Sequence, residues 1–520
     1  MSLRVGQALL VVALASIPGQ RAESQPGSGS GSSDPAADDD DDGPAGSGSA
    51  VVAPANPAAR LGWLKERFAT SLSSRAVLAR SRVGYHVLDL TTGAVLASHE
   101  GDRGLNLASN AKVLTAVAAL KGLGGGFRWR TSVYALTAPD DTGTIAGNLY
   151  IKGRGDPVLT LEGLRQLAHD VAARGVSVVE GNLVVDASYF DNAYEPPHFE
   201  EQPKERAAFR APVASLGVNR SAYTVTVLAQ PEGKTKVTIE PQLGEYLKLT
   251  KDEVTSVTEG RTRLRLEAKV RRDQIALELT GTIRQGQGSW DLRRRVDDPA
   301  RFAAEVFVRA LAEQGIKLKS RSVTFGNVPA AAKLMAAHDS PTLADVLRSM
   351  NKHSDNYIAE CIMKTLGAEA KAAPAATWAD GQAAMRGRLL ELGMTGTFRS
   401  SNGSGLFAST EVSAKQLVSL LAAAHKDYRI GPDLVASLPV GGSDGTLARR
   451  WRGKPSQGRV RAKTGTLDKV KTLAGYVGVD SGHVLAFAII VNDIPGGQRA
   501  TVGAMADDMV ESMVAFLDGK

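Results

Sequence analysis

Between about Arg130 and Ala337 this chain reads as a long succession of short strands, and the sequence on either side does not. Runs such as TSVYALTA, GNLYIKG, AYTVTVLA, TRLRLEAKV and QIALELTGTI are rich in Thr and Val and alternate apolar with polar residues between turn signals. One strong helical pattern, Ala303 to Gln314, falls late in this stretch. Before it come a helical pattern from about Arg60 to Leu78, a hairpin in RVGYHVLDLTTGAVLASHEG and an amphipathic helix over Leu105 to Gly124. After it, helical periodicity from Ser340 to Ala424 gives way to three strands, GRVRAKTG, KTLAGYVGVD and HVLAFAIIVN, and a closing helix from about Ala500 to Leu517. A chain of 520 residues is too long for one ordinary core. The order predicts one α/β domain, residues 58–130 and 338–520, interrupted by a β-rich insertion over 131–337 with a nested subdomain at about 221–297.

The N-terminus is of another kind. Arg4, an apolar run from Ala8 to Ile17 and small residues after it predict a secretory signal peptide over 1–22. Residues 23–57 are Gly, Ser, Pro, Ala and Asp, with five consecutive acids at Asp38 to Asp42, and predict a disordered acidic linker. No later segment is long and apolar enough for a membrane helix, so the exported chain is expected in the periplasm or cell envelope without a transmembrane segment. Cys361 is the only cysteine, which rules out an intrachain disulfide. The chain has 62 basic and 55 acidic residues; seven of the acids lie in 23–50, which leaves the rest at +14. A basic exported protein suits an acidic lipid or a carboxylate-rich wall, and export argues against nucleic acid as partner.

In the helix Leu105 to Gly124, Val113, Ala116, Val117 and Leu120 recur at the spacing of a buried face. Ser109 and Lys112 are three apart, so they lie on one face at its N-terminal end. Ser354, Asp355 and Asn356 form Ser-x-Asn between helical patterns, and Lys463, Thr464 and Gly465 end a strand in VRAKTGTLDKV. Each motif alone is weak. The three in this order, on a helix start, between helices and on a strand paired with two more, form the signature of active-site serine penicillin-recognising enzymes.

The chain resembles the low-molecular-mass class C penicillin-binding proteins, the D-alanyl-D-alanine carboxypeptidases and endopeptidases. In that family a large nested insertion separates the first two motifs, and here Ser109 and Ser354 are 245 positions apart. GRGDPVL at Gly153 to Leu159, APVASLGVNRSAYTV at Ala211 to Val225 and LPVGGSDGTLARR at Leu438 to Arg450 are similar to further family stretches. The likeness runs over about 60–520. It departs at NGSGLFAST, Asn402 to Thr410, where the family usually has Asp-Gly-Ser-Gly-Leu-Ser-Arg; losing the acid and the Arg puts the geometry of that loop in question. The resemblance implies a β-lactamase/transpeptidase-like domain with an antiparallel sheet and flanking helices. It also implies an exported serine-type D-alanyl-D-alanine carboxypeptidase that trims peptidoglycan stem peptides ending in D-Ala-D-Ala and is acylated by β-lactam antibiotics. The balance with D,D-endopeptidase activity stays open.

The residue types suit these roles. Ser109 needs a base to become a nucleophile, and Lys112 one turn on serves if desolvation and Lys463 lower its pKa. In the family pattern Ser354 relays the proton to the leaving group, Asn356 holds the substrate amide, and Lys463 with Thr464 binds the terminal carboxylate. Gly465 and Thr466 are expected, with Thr464, to bind substrate, and the N–H groups of Ser109 and Thr466 resemble the family's oxyanion hole. Two rivals stand beside this reading: a β-lactamase or esterase-like hydrolase with the same motifs, and a non-catalytic wall-binding protein. GGSDG at Gly441 to Gly445 also matches the nucleophile elbow of α/β-hydrolases, and His353 beside Ser354 reads as a partly exposed structural histidine. Cys361 and Met363 read as core. No His/Cys/Asp cluster has metal-ligand spacing and no phosphate-binding glycine loop appears, so neither metal nor other cofactor is expected.

Overall fold

The computed structural model describes residues 31–32 and 51–519, apart from 272–273, 321 and 372–374. The signal peptide expected at 1–22 lies outside these. A five-stranded antiparallel sheet joins the two ends of the chain, in the order Val460–Leu467, Val470–Gly478, Val484–Asn492, Arg82–Asp89, Val95–His99. In strand HVLAFAIIVN the run Val484 to Val491 is apolar throughout because both its faces are covered. Leu485, Phe487, Ile489 and Val491 pack with Leu64 and Phe68 of the helix Pro57–Ser73 and with Met505, Met509 and Met513 of the helix Arg499–Asp518. The alternate residues Ala486, Ala488 and Ile490 meet a helical layer through Val113, Val117, Ile358 and Leu417.

That layer has the helix Ala111–Leu123 at its centre, and here the amphipathic expectation fails. Every residue from Ala111 to Leu120 is buried, Lys112 and Thr115 included. Up to Leu120 the helix is enclosed on all sides, so Lys112 and Thr115 face the interior of the protein and not bulk water. Ser109 precedes it in a short 3₁₀ turn, Ala108–Asn110. The helix expected at 60–78 is shorter, Pro57–Ser73, capped by the Asn56 side chain and followed by a 3₁₀ turn at Ala76–Arg80.

The insertion is entered and left through adjacent strands. Arg130–Ala135 pairs antiparallel with Lys333–Asp339, with Arg130 opposite Asp339. Around them a five-stranded mixed sheet includes Leu149–Lys152 and Leu183–Asp186 as parallel neighbours. A parallel pair needs a crossover, and the helix Leu161–Ala173, which strand-biased reading passes over, supplies it. Its Leu164, Leu167 and Val171 share one core with Phe302, Val306 and Phe307 of the helix Pro299–Glu313. Residues 222–295 carry six strands in two small sheets. The linker at 23–57 is described in two places, and in both it is held. Gly31–Ser32 pairs with Trp290 and Asp291, and the Arg60 guanidinium donates to the Pro54 and Ala55 carbonyls at 3.1 and 3.0 Å. No helix among the described residues is long and apolar enough to cross a membrane.

Candidate active site

The turn that carries Ser109 is built by neighbouring side chains. Asn492 accepts from the Asn106 N–H at 2.8 Å, and Asn106 in turn accepts from the Ala108 N–H at 2.9 Å. Ala108 sits in the left-handed region at φ 47°, which bends the chain sharply just before the serine. One turn on, Lys112 is completely buried. Its Nζ donates to Ser109 Oγ at 3.0 Å, to Asn356 Oδ1 at 2.7 Å and to the Ser404 carbonyl at 3.0 Å. A neutral amine has two hydrogens. With these held by the two carbonyl oxygens, its lone pair is left for Ser109.

Ser354 and Asn356 stand at the junction of the helices Leu343–Lys352 and Asn356–Lys371. Ser354 is left-handed at φ 54°, a strained position for a residue with a side chain. Asp355 between them accepts from the Ile358 N–H at 3.1 Å, capping the second helix, and pairs with Arg220 of the insertion. The amide of Asn356 donates to the Phe209 carbonyl at 3.1 Å, which fixes the amide's oxygen toward Lys112. Insertion residues thus hold Asp355 and Asn356 of Ser-x-Asn. His353, next in line, is exposed.

The third motif lies on the edge strand Val460–Leu467. Lys463 is completely buried and donates to Ser354 Oγ at 2.9 Å and to the Thr464 carbonyl at 2.7 Å. The Thr464 hydroxyl is oriented by Thr446 at 2.8 Å. Gly465 lets the strand pass beside Ser109: a Cβ there would lie 2.3 Å from Thr472 Oγ1, 2.8 Å from the Leu107 carbonyl and 3.0 Å from Ser109 N. Thr466, next along, is half-buried. All five residues expected to carry the chemistry therefore converge, Ser109, Lys112 and Asn356 around one ammonium and Ser354 with Lys463 beside it.

The loop after Asn402, where the chain departs from the family pattern, closes the back of this site. Asn402 Oδ1 accepts from the Gly405 N–H at 2.9 Å, while its amide donates to the carbonyls of Pro197 and Leu406 at 3.0 and 3.2 Å. An ionised Asp cannot make those two donations. The loop is therefore well formed with Asn, and through Pro197 it is tied to the insertion. Phe199 stacks edge-on against Phe407 at 5.7 Å, so the charged stretch His198 to Arg206 meets this loop at its start.

Two contributors escape sequence reading. Ser404 acts through its main-chain carbonyl, which no side-chain pattern announces. Glu360 is completely buried and accepts from the Gly403 and Ser404 N–H groups at 2.9 Å each; its place four residues after Asn356 was the available signal. The nucleophile-elbow match does not form. Ser443 is an exposed turn residue with no strand before it, and His483 bonds Asp89 at 2.8 Å. Among the described residues no three His, Cys, Asp or Glu side chains are placed to hold a metal ion.

The model of the D-Ala-D-Ala carboxypeptidase 3 (S13) family matches residues 64–514. The chain belongs to that family. Among S13 relatives, a D-alanyl-D-alanine carboxypeptidase of Actinomadura sp. is 34% identical over 455 residues, 84% of this chain and 82% of the relative. The D-alanyl-D-alanine carboxypeptidase DacB of Haemophilus influenzae is 26% identical over 421 residues, 80% and 86% of the two chains. The fold of this S13 member matches the crystal structure of penicillin-binding protein 4 (dacB) from Haemophilus influenzae. The TM-score is 0.71 at 23% identity, covering 87% of this chain and 99% of that one. A second structure of that protein, complexed with a β-lactam, matches at 0.67 and 24% identity over 84% and 98%. The fold is thus the α/β penicillin-recognising fold that the three motifs imply.

Proposed function

We propose that this chain is an exported serine-type D-alanyl-D-alanine carboxypeptidase that trims peptidoglycan stem peptides through an acyl-enzyme on Ser109. The observation that carries the reading is the placement of Lys112 Nζ, held by Asn356 Oδ1 and the Ser404 carbonyl while facing Ser109 Oγ. In the first step Lys112 takes the Ser109 proton as Oγ attacks the carbonyl of the penultimate D-alanine. The N–H groups of Ser109 and Thr466 receive the oxyanion. The C–N bond then breaks, and Ser354, bonded to Lys463, relays the proton taken up by Lys112 to the departing amine of the last D-alanine, which leaves Lys112 neutral again. Lys463 and Thr464 bind the free terminal carboxylate, which accounts for a requirement for a chain end. Gly465 gives the substrate and Ser109 room along the strand, and Asn356 also serves the substrate amide. Water, activated by the same lysine, releases the acyl group.

A β-lactam mimics the D-Ala-D-Ala end and stalls as the acyl-enzyme. We assign 1–22 to a signal peptide, 23–57 to a linker, 58–130 and 338–520 to the catalytic domain, and 131–337 to the insertion with its nested subdomain at about 221–297. Export and the basic surface point to the cell envelope and to peptidoglycan, with no role for nucleic acid. Purified muropeptides and mass spectrometry test the reading: loss of one alanine is the expected result, splitting of cross-linked dimers adds endopeptidase activity, and no change from folded protein contradicts it. Rapid nitrocefin turnover in place of stoichiometric labelling would favour a β-lactamase.

A further inference from the structure

Asn356 and Glu360 are one turn apart on the helix Asn356–Lys371 and share a face. Asn356 meets Lys112 directly, at 2.7 Å. Glu360 reaches it through one residue: its carboxylate accepts from the Ser404 N–H at 2.9 Å, and the Ser404 carbonyl accepts from Lys112 Nζ at 3.0 Å. The loop between them has little freedom. Thr115, one turn after Lys112, donates to the Gly403 carbonyl at 2.7 Å. A Cβ at Gly403 would lie 2.4 Å from the Ala359 carbonyl, and one at Gly405 would lie 1.9 Å from that of Ala108.

A carboxylate with no solvent exposure is costly unless something offsets it. Burial raises the proton affinity of Glu360 above that of a free carboxyl, and the Ser404 hydroxyl, the N–H groups of Gly403 and Ser404 and the charge of Lys112 offset part of that rise. Lys112 faces the charge of Glu360 from the helix and a main-chain carbonyl from the loop, and Lys463 on the edge strand bonds Ser354, two residues before the Asn356 that meets Lys112. Cys361 is the other titratable neighbour of Glu360. Two fully buried lysines in one site disfavour each other's charge. Without a nearby anion, Lys112 would lose its proton too readily and be a weak base.

We infer that Glu360 is a positioning residue for the general base: it fixes Lys112 Nζ through Ser404, and its negative charge sets the pH at which Lys112 becomes a usable amine. This rests on Lys112 being the base. The second-order rate of penicillin acylation, followed against pH, tests it, because its acid limb reports the base of the free enzyme. In Glu360→Gln the limb moves down by about one pH unit, and the plateau falls roughly tenfold because the base is weaker. Glu360→Asp, which draws the charge back by one methylene, moves the limb the same way by less, and it decides the matter if the Gln variant does not fold. Thr115→Val loosens the same loop without touching the charge; it lowers the plateau and leaves the limb in place. An unmoved limb in the folded Glu360 variants, or an equal shift in Thr115→Val, overturns the inference. A wild type that does not acylate at Ser109 fails the base assignment itself.

Discussion

Lys112 Nζ is closer to Asn356 Oδ1, at 2.7 Å, than to Ser109 Oγ, at 3.0 Å. The second motif thus holds Lys112 directly. Asn356 is itself held by Phe209 of the insertion, so a segment far from the nucleophile in sequence helps aim the amine.

The two buried lysines should respond differently to the same substitution. On the proposed mechanism Lys112 must give up and regain a proton, while Lys463, bonded to Ser354, supplies charge to the substrate carboxylate. Arginine keeps the charge and does not deprotonate. Lys112→Arg should lower the penicillin acylation rate by about 10²–10⁴-fold, the usual cost of a lost general base. Lys463→Arg should retain part of the rate and mainly weaken carboxylate binding. Equal acylation by the two variants, with folding verified by thermal melts, would remove Lys112 as base.

Gly405 should tolerate no side chain. It is left-handed at φ 78°, and its Cβ would lie 1.9 Å from the Ala108 carbonyl, next to the nucleophile. Gly405→Ala should cost about 2–4 kcal/mol, seen in denaturant melts, and should depress acylation in the protein that remains folded. A neutral result would mean that the loop does not press on the Ser109 turn.

Asp156 should make the protein less stable as pH rises. Burial pushes its carboxyl from 3.8 to about 6, and one of its oxygens has no hydrogen-bond partner among the described residues. The folded state therefore binds this proton more tightly than the unfolded state, so stability is lost between pH 3.8 and about 6. Asp156→Asn removes the charge and keeps an acceptor for the Val158 N–H. It should raise stability at neutral pH by roughly 1–3 kcal/mol, and the gain should vanish in acid. A gain of the same size at all pH values would contradict the burial account.

Much of the site was legible because its chemistry is local. Ser109 with Lys112 and Ser354 with Asn356 each span a single helical turn or junction, and Lys463 to Thr466 is a stretch of one strand, so spacing alone carries their geometry. Ser404 was not legible, since a carbonyl has no sequence signature. Glu360 was legible only as an acid in step with Asn356, and a helix of this kind offers several. The apolar stripe misled in another way: Val113, Ala116, Val117 and Leu120 suggest a wet face opposite them, and from Ala111 to Leu120 there is none. The helix Leu161–Ala173 has apolar residues in helical register at Leu164, Leu167 and Val171, yet the Thr- and Val-rich strands around it outweigh that signal.

The central claim is that Ser109 is the nucleophile, and a fluorescent penicillin tests it most directly. The folded protein is incubated with the label, digested, and the modified peptide is sequenced by mass spectrometry. The account predicts one label per chain, on Ser109, and none in Ser109→Ala. A label on Ser443, or none on folded wild-type protein, would contradict it.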